Sequence, residues 1–300
     1  MLAIDFAALS EPYDKKAGQR LAYQLRTTVP TRRRFVPTAS FIDIFGGVVF
    51  GFAAVMLGPI GLIYLVVGIV EGNGDQIGPG IAMLLSAVGF GAFAYWLLHR
   101  YFRSTGSPEL WWRLDRFARA NGLVFAPWSP EPAYPSALFS AGVGAAAYSH
   151  VRHEGEGFYN IGNLYYQTGK RGNESFDNRW GFVAIHLEQT WPAMLLDSKV
   201  NDRLGMNGLP FDLADTRQLS LTGPGADTFV LRGTPTGQSR AKQVFTPALV
   251  EALAKATGTY DAHVVDDWLF IFSRTEFDMA DPALLRELFG FVDLVRGSKA

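Results

Sequence analysis

The chain has 300 residues, no cysteine and a formal net charge of −1. Without cysteine, a disulfide framework, a thiolate metal site and a cysteine nucleophile are all excluded. The small total hides an asymmetry: residues 1–43 carry seven Lys/Arg against four Asp/Glu, whereas residues 104–300 carry −4. A mildly acidic segment of that size does not suit a phosphate backbone, which asks for clustered positive charge, so no nucleic-acid partner is expected.

In chain order, residues 1–43 form an N-terminal segment that is basic near its end. "YDKKAGQRLAYQLR" has the spacing of a short helix in which Tyr13, Ala17, Leu21 and Gln24 or Leu25 share a face. "TRRRF" follows, bracketed by Pro30 and Pro37. From Ile44 to Val70 there are 27 residues without a charged side chain, and from Ile77 to Leu98 there are 22 more. About 20 apolar residues cross a hydrocarbon core as a helix, so residues 44–98 read as a transmembrane hairpin of two spans. Its tip is "EGNGDQ", residues 71–76, with two acids and no base.

Cytoplasmic flanks accumulate Lys and Arg. Arg32, Arg33 and Arg34 precede the first span, and Arg100 and Arg103 follow the second. The tip is therefore expected outside, and both termini and residues 104–300 in the cytoplasm. The same five arginines are the candidate lipid-binding residues, because each basic residue near an anionic leaflet contributes roughly 1 kcal/mol. A topology signal alone also explains them, and the two roles are compatible. Gly47 and Gly51 in the first span, and Ala87 and Gly91 in the second, have small-xxx-small spacing and are the candidate helix-packing residues. Packing within one hairpin and association of hairpins into a homo-oligomer both remain open. Neither span contains a charged residue, which disfavours conduction or pumping.

Residues 104–300 open with a helix over "SPELWWRLDRFARANG". Pro108 suits its first position, and Leu110, Leu114, Phe117 and Ala118 share a face. "PWSPEPAYPS" has four prolines in ten residues and must be extended or looped. Short β-type runs follow at residues 158–168, 181–187, 194–197, 218–222 and 228–232. A helix capped by Thr246 comes next. Two strands, "AHVV" and "WLFIFS", then flank a turn at Asp266 and Asp267, and a last helix is capped by Asp281. Strands in succession with helices grouped later argue an α+β domain with a mainly antiparallel sheet.

No stretch in this domain matches an established catalytic, cofactor or metal motif. "GVGAAA", residues 142–147, imitates a dinucleotide fingerprint but reads as a small-residue loop, because neither a preceding strand nor a downstream acid supports it. "TGK" at residues 168–170 lacks the first glycine of a P-loop. His150, His153 and Glu154 have metal-ligand types in no ligating pattern and read as surface-loop residues. His186 and His263 read as paired structural residues. Asp212, Asp215, Asp266 and Asp267 read as turn carboxylates.

The pieces "RFARANGLVF", "FYNIGNLYYQTG", "RWGFVAIHLEQTWPAMLLDS", "VFTPALVEALA" and "DAHVVDDWLFIFS" resemble a family of uncharacterised two-span bacterial membrane proteins. The cytoplasmic C-terminal domain of that family has no assigned activity, so the resemblance supplies no site residues and no cofactor. The expectation is a cell-membrane, non-enzymatic binding or scaffold module with an anionic bilayer as partner and a protein partner at the inner leaflet. The alternatives are a membrane-anchored enzyme with an unrecognised site and an accessory subunit of an export or envelope-building complex.

Overall fold

The computed structural model describes residues 3–28, 38–104, 108–171, 174–201 and 216–297. Its helices are α1 (Ala7–Ser10), α2 (Lys15–Thr28), α3 (Thr38–Val70), α4 (Gly74–Ser104), α5 (Pro108–Ala120), α6 (Ala241–Val244), α7 (Pro247–Lys255) and α8 (Pro282–Gly297). Its strands are β1 (Val124–Pro130), β2 (Val143–His153), β3 (Tyr159–Arg171), β4 (Glu174–Ser198), β5 (Arg217–Leu219), β6 (Phe229–Gly233) and β7 (Asp261–Ser273). They divide into two compact units, Pro30–Ser107 and the combination of Met1–Val29 with Pro108–Ala300.

The first unit is the pair α3 and α4. Gly72 turns the chain at φ 67°, a left-handed conformation that glycine adopts without strain. The Asn73 side chain then accepts the Asp75 N–H at 3.1 Å and caps α4. The helices approach closely where both lack side chains: a Cβ on Gly80 would lie 2.7 Å from the Leu65 nitrogen, and one on Gly61 would lie 2.9 Å from Met83 Cβ. A Cβ on Gly47 would meet Leu98 Cγ at 2.7 Å. Gly51 faces Ala94 Cβ, Ala87 Cβ faces Gly58 and Gly91 faces Ala54 Cβ, at 3.9, 3.9 and 3.8 Å. Phe50 packs against Phe90 and Phe93 across the seam. The helix continues through Pro59.

The second unit is an α+β domain built on a seven-stranded sheet in the order β1-β2-β3-β4-β6-β5, with every pairing antiparallel. β4 is the spine. Its residues 181–185 pair with β3 on one edge and β7 on the other, and its residues 194–196 pair with β6 and β7. Straight, the 13 residues of β7 would span about 40 Å. Yet Tyr260 just before β7 and Phe277 just after it bring their rings to 6.2 Å. The β4/β7 ribbon is therefore strongly coiled. Register breaks between His186 and Met194 on β4 face the left-handed Asp266 (φ 52°) on β7, and such bulges bend a ribbon sharply. "AHVV" and "WLFIFS" are thus one strand through a bulge at Asp266, and not two strands around a turn.

The concave face holds the larger core. Val151, Ile161, Val183, Ile185, Leu196, Val264 and Ile271 meet Leu114 and Phe117 of α5, Leu249 and Leu253 of α7, and Leu285, Leu288 and Val292 of α8. Thr246 caps α7 by accepting the Leu249 N–H, and Asp281 caps α8 by accepting the Ala283 N–H. The opposite face carries Leu164, Trp180, Phe182, Phe270 and Phe272, and it is closed by the proline-rich strap at residues 131–142 through Tyr134, Leu138 and Phe139. "VFAPWSP" is strand β1, with its prolines on an edge strand where a missing N–H is tolerated. "GVGAAA" likewise opens β2 and is not a loop; its alanines at 145 and 147 lie under the strap.

Candidate functional site

Two surfaces and three polar clusters compete for function. The first surface is the hairpin. Phe45–Val70 and Gly74–Leu98 are long and apolar enough to cross a membrane, with mean hydropathy 2.4 and 1.9, and only 11% of each apolar window is buried. A core helix of a soluble domain would bury most of that window. Arg32, Arg33 and Arg34 lie outside the described residues. Arg100 and Arg103 belong to the end of α4, where the backbone alone is described.

The second surface is formed by the N-terminal segment, which folds onto α5. Phe6 packs tilted against Phe117 and edge-on against Phe289 at 5.7 and 6.0 Å, Ala8 and Leu9 are buried, and Arg286 sits over the Phe6 ring. Asn121 exchanges two hydrogen bonds with the Asp5 backbone. Arg113 donates to the Leu9 and Glu11 carbonyls, and Arg116 pairs with Glu11. Trp112 packs on Tyr13, and Trp111 lies beneath the Arg26 guanidinium. The tryptophans of α5 are thus engaged by this segment.

The first polar cluster corrects the sequence reading of His150, which is not in a surface loop but in β2, 1% exposed. The neighbouring Ser149 takes the left-handed φ of 46°, and the β2 register shifts between Tyr148 and Val151. This bulge turns His150 over Gly162, where any Cβ would come within 2.2 Å of His150 Cβ. The Asn160 amide donates to the Tyr134 hydroxyl at 2.8 Å, so its oxygen is the atom that accepts from His150 Nδ1–H at 2.9 Å. His150 Nε2 then accepts the Ser129 hydroxyl at 2.9 Å.

Hydroxyl, imidazole and amide stand here in the order of nucleophile, base and orienter. The chemistry runs against that role. Burial lowers His150 to about 4, whereas a general base works best with a pKa near the working pH. The chain of hydrogen bonds ties the strap to the sheet instead. A similar bond joins the strap's Ser136 to His263 at 3.2 Å, and burial lowers His263 also, to about 4. Glu154 pairs with Arg152, and His153 stacks on Tyr159 at 5.4 Å.

The second cluster gathers Tyr148, Glu276 and Arg179. The Tyr148 hydroxyl donates to Glu276, Arg179 reaches the same carboxylate at 3.4 Å, and Tyr148 is raised well above the ordinary tyrosine range by burial first and by Glu276 second. The third lies where the ends of the coiled ribbon meet. Asp261 is fully buried, accepts from the Ser198 N–H and from Asn201 at 2.8 and 2.9 Å, and is raised to about 6 by burial. At the outer bend, His186 pairs with Asp267 at 2.9 Å. Asp266 is the bulge residue, and Asp212 and Asp215 lie outside the described residues. Among the described residues no group of three metal-ligating side chains converges. Sequence reasoning missed the His150 network because its signal, a serine, histidine and asparagine from three strands, exists only once the register is known.

No family model matches the chain, and no curated protein matches it. Among solved structures, the mycobacterial trehalose monomycolate transport factor A, TtfA, superposes with a TM-score of 0.39 and 15% identity, over 62% of this chain and 94% of its own. A likeness that loose carries no argument about what this chain does.

Proposed function

We propose that the protein is a two-span membrane protein, tip outside and both termini cytoplasmic, whose α+β domain is a binding or scaffold module at the inner leaflet. The observation that carries this reading is where exposed apolar surface lies. Among the described residues, every large exposed hydrophobic except Tyr23, Val124, Val143, Phe176 and Val200 falls between Phe45 and Trp96. Apolar side chains in such density ask for a hydrocarbon solvent. The domain itself buries most of its large hydrophobics, and the hydrogen bonds of its three polar clusters run between its own groups.

Arg32, Arg33 and Arg34 are proposed to gather anionic lipid, contributing about 3 kcal/mol together if all three reach the surface. Lipid mass spectrometry on purified wild type and an Arg32→Gln/Arg33→Gln/Arg34→Gln variant tests this: the variant should lose co-purifying anionic lipid while remaining inserted. Equal anionic lipid on both would leave the arginines as a topology signal alone. Anchoring is tested by alkaline washing of membranes, which should leave the protein in the pellet until detergent is added; release by the wash would contradict a spanning hairpin.

A further inference from the structure

The outward face of α2 carries charge that no side chain among the described residues of its unit pairs with. Lys15–Thr28 contains Lys15, Lys16, Arg20 and Arg26 and no acid. Gly18 and Ala22 are buried on the side toward α5, which leaves Lys15, Lys16, Gln19, Arg20 and Tyr23 in the open, Tyr23 at 72% exposure. No ion pair or side-chain hydrogen bond engages Lys15, Lys16 or Arg20 among the described residues. The nearest acids are in use: Asp14 caps α2 through the Lys16 and Ala17 N–H groups, and Glu11 is paired with Arg116. A shallow depression of about 420 Å³ runs along this face, lined by Lys16, Gln19, Arg20, Tyr23 and Gln24.

We propose that this face docks on the anionic headgroups of the bilayer that holds the hairpin. The inference rests on the membrane-anchored reading above and extends it to residues outside the arginine triplet. Reach supports the occupant. Only nine residues separate Thr28 from Thr38, so the covalent link is at most about 35 Å long and α2 cannot leave the neighbourhood of the membrane. Charge supports it as well, since several unpaired cations with one exposed aromatic match a negative leaflet surface. Because the apolar side of α2 is spent on α5, the contact is electrostatic and superficial, without insertion, and it must weaken as salt shortens the screening length.

The absence of cysteine makes a direct test available. The full chain carrying Gln19→Cys, labelled with a fluorophore, is reconstituted into nanodiscs of neutral phosphatidylcholine or of a mixture containing anionic phosphatidylglycerol. A water-soluble quencher reports exposure, and Val66→Cys serves as a depth marker in the span. The expected result is a several-fold loss of quenching at position 19 in the anionic discs only, restored by high salt and by Lys15→Gln/Lys16→Gln/Arg20→Gln. Equal quenching in both lipids with position 66 protected overturns the proposal and leaves the anchoring reading intact. Quenching at position 66 overturns both. Protection by inorganic phosphate in neutral discs would make the face a soluble-anion site and overturn the lipid assignment.

Discussion

His150 is held neutral by its surroundings, and that has a consequence for stability. Burial lowers its pKa from the ordinary 6.5 to about 4, so between those values the unfolded chain binds a proton that the folded one refuses. The contribution is fully present above pH 6.5 and is lost as pH falls toward 4, on the order of 3 kcal/mol. Asp261 works the other way: its pKa is raised from 3.8 to about 6, so its contribution grows as pH falls through that window. The urea midpoint of the detergent-solubilised chain is expected to drop less between pH 7 and pH 4.5 in His150→Gln than in wild type. Parallel drops would show that His150 is not the group responsible. Gly162→Ala tests the same packing without titration. Its Cβ would meet His150 Cβ at 2.2 Å and Cα at 2.7 Å, stem atoms that cannot swing aside, so a loss of about 2 kcal/mol is expected. Unchanged stability would mean the bulge at Ser149 relaxes freely. Neither effect was legible in the sequence. "HVRHE" followed by glycines looks like a loop, and only the pairing of β2 with β3 shows that Gly162 is the space His150 occupies.

At the scale of elements, periodicity and punctuation identified most of the architecture. The apolar runs became α3 and α4, Thr246 and Asp281 cap the helices they were expected to cap, and the β-type runs form an antiparallel sheet. What periodicity could not show was length and continuity. β4 absorbs two expected runs and the "EQTWPA" between them, because a bulged strand keeps pairing after its alternation is broken. Nor could it show that the N-terminal segment packs on α5, which depends on Phe6, Ala8 and Leu9 reaching a core more than a hundred residues away in sequence. A fragment beginning at Ser104 should therefore be less stable than the same fragment joined through a flexible linker to residues 1–29. Identical unfolding midpoints would show that this docking contributes nothing. The hairpin register is open to a sharper check. An ideal Cβ on Gly91 lies 3.8 Å from Ala54 Cβ, within the range of a disulfide. Ala54→Cys/Gly91→Cys should close within one chain on mild oxidation; cross-linked dimers in place of closed monomers would assign those positions to association between hairpins.

At the scale of the whole molecule, the hairpin exposes many of its large side chains while the domain buries most of its own, and the flanking arginines and acidic tip are the basis of the proposed orientation. Position 74, where an added Cβ meets nothing within 4 Å, and Ser239, exposed on the domain, are suitable reporters of it. Single cysteines there, Gly74→Cys and Ser239→Cys, are the only thiols in their chains. An impermeant thiol reagent applied to intact cells should label position 74 at once and position 239 only after the membrane is opened. Labelling of position 239 in intact cells, with position 74 protected, would contradict the orientation and with it the placement of the α+β domain at the inner leaflet.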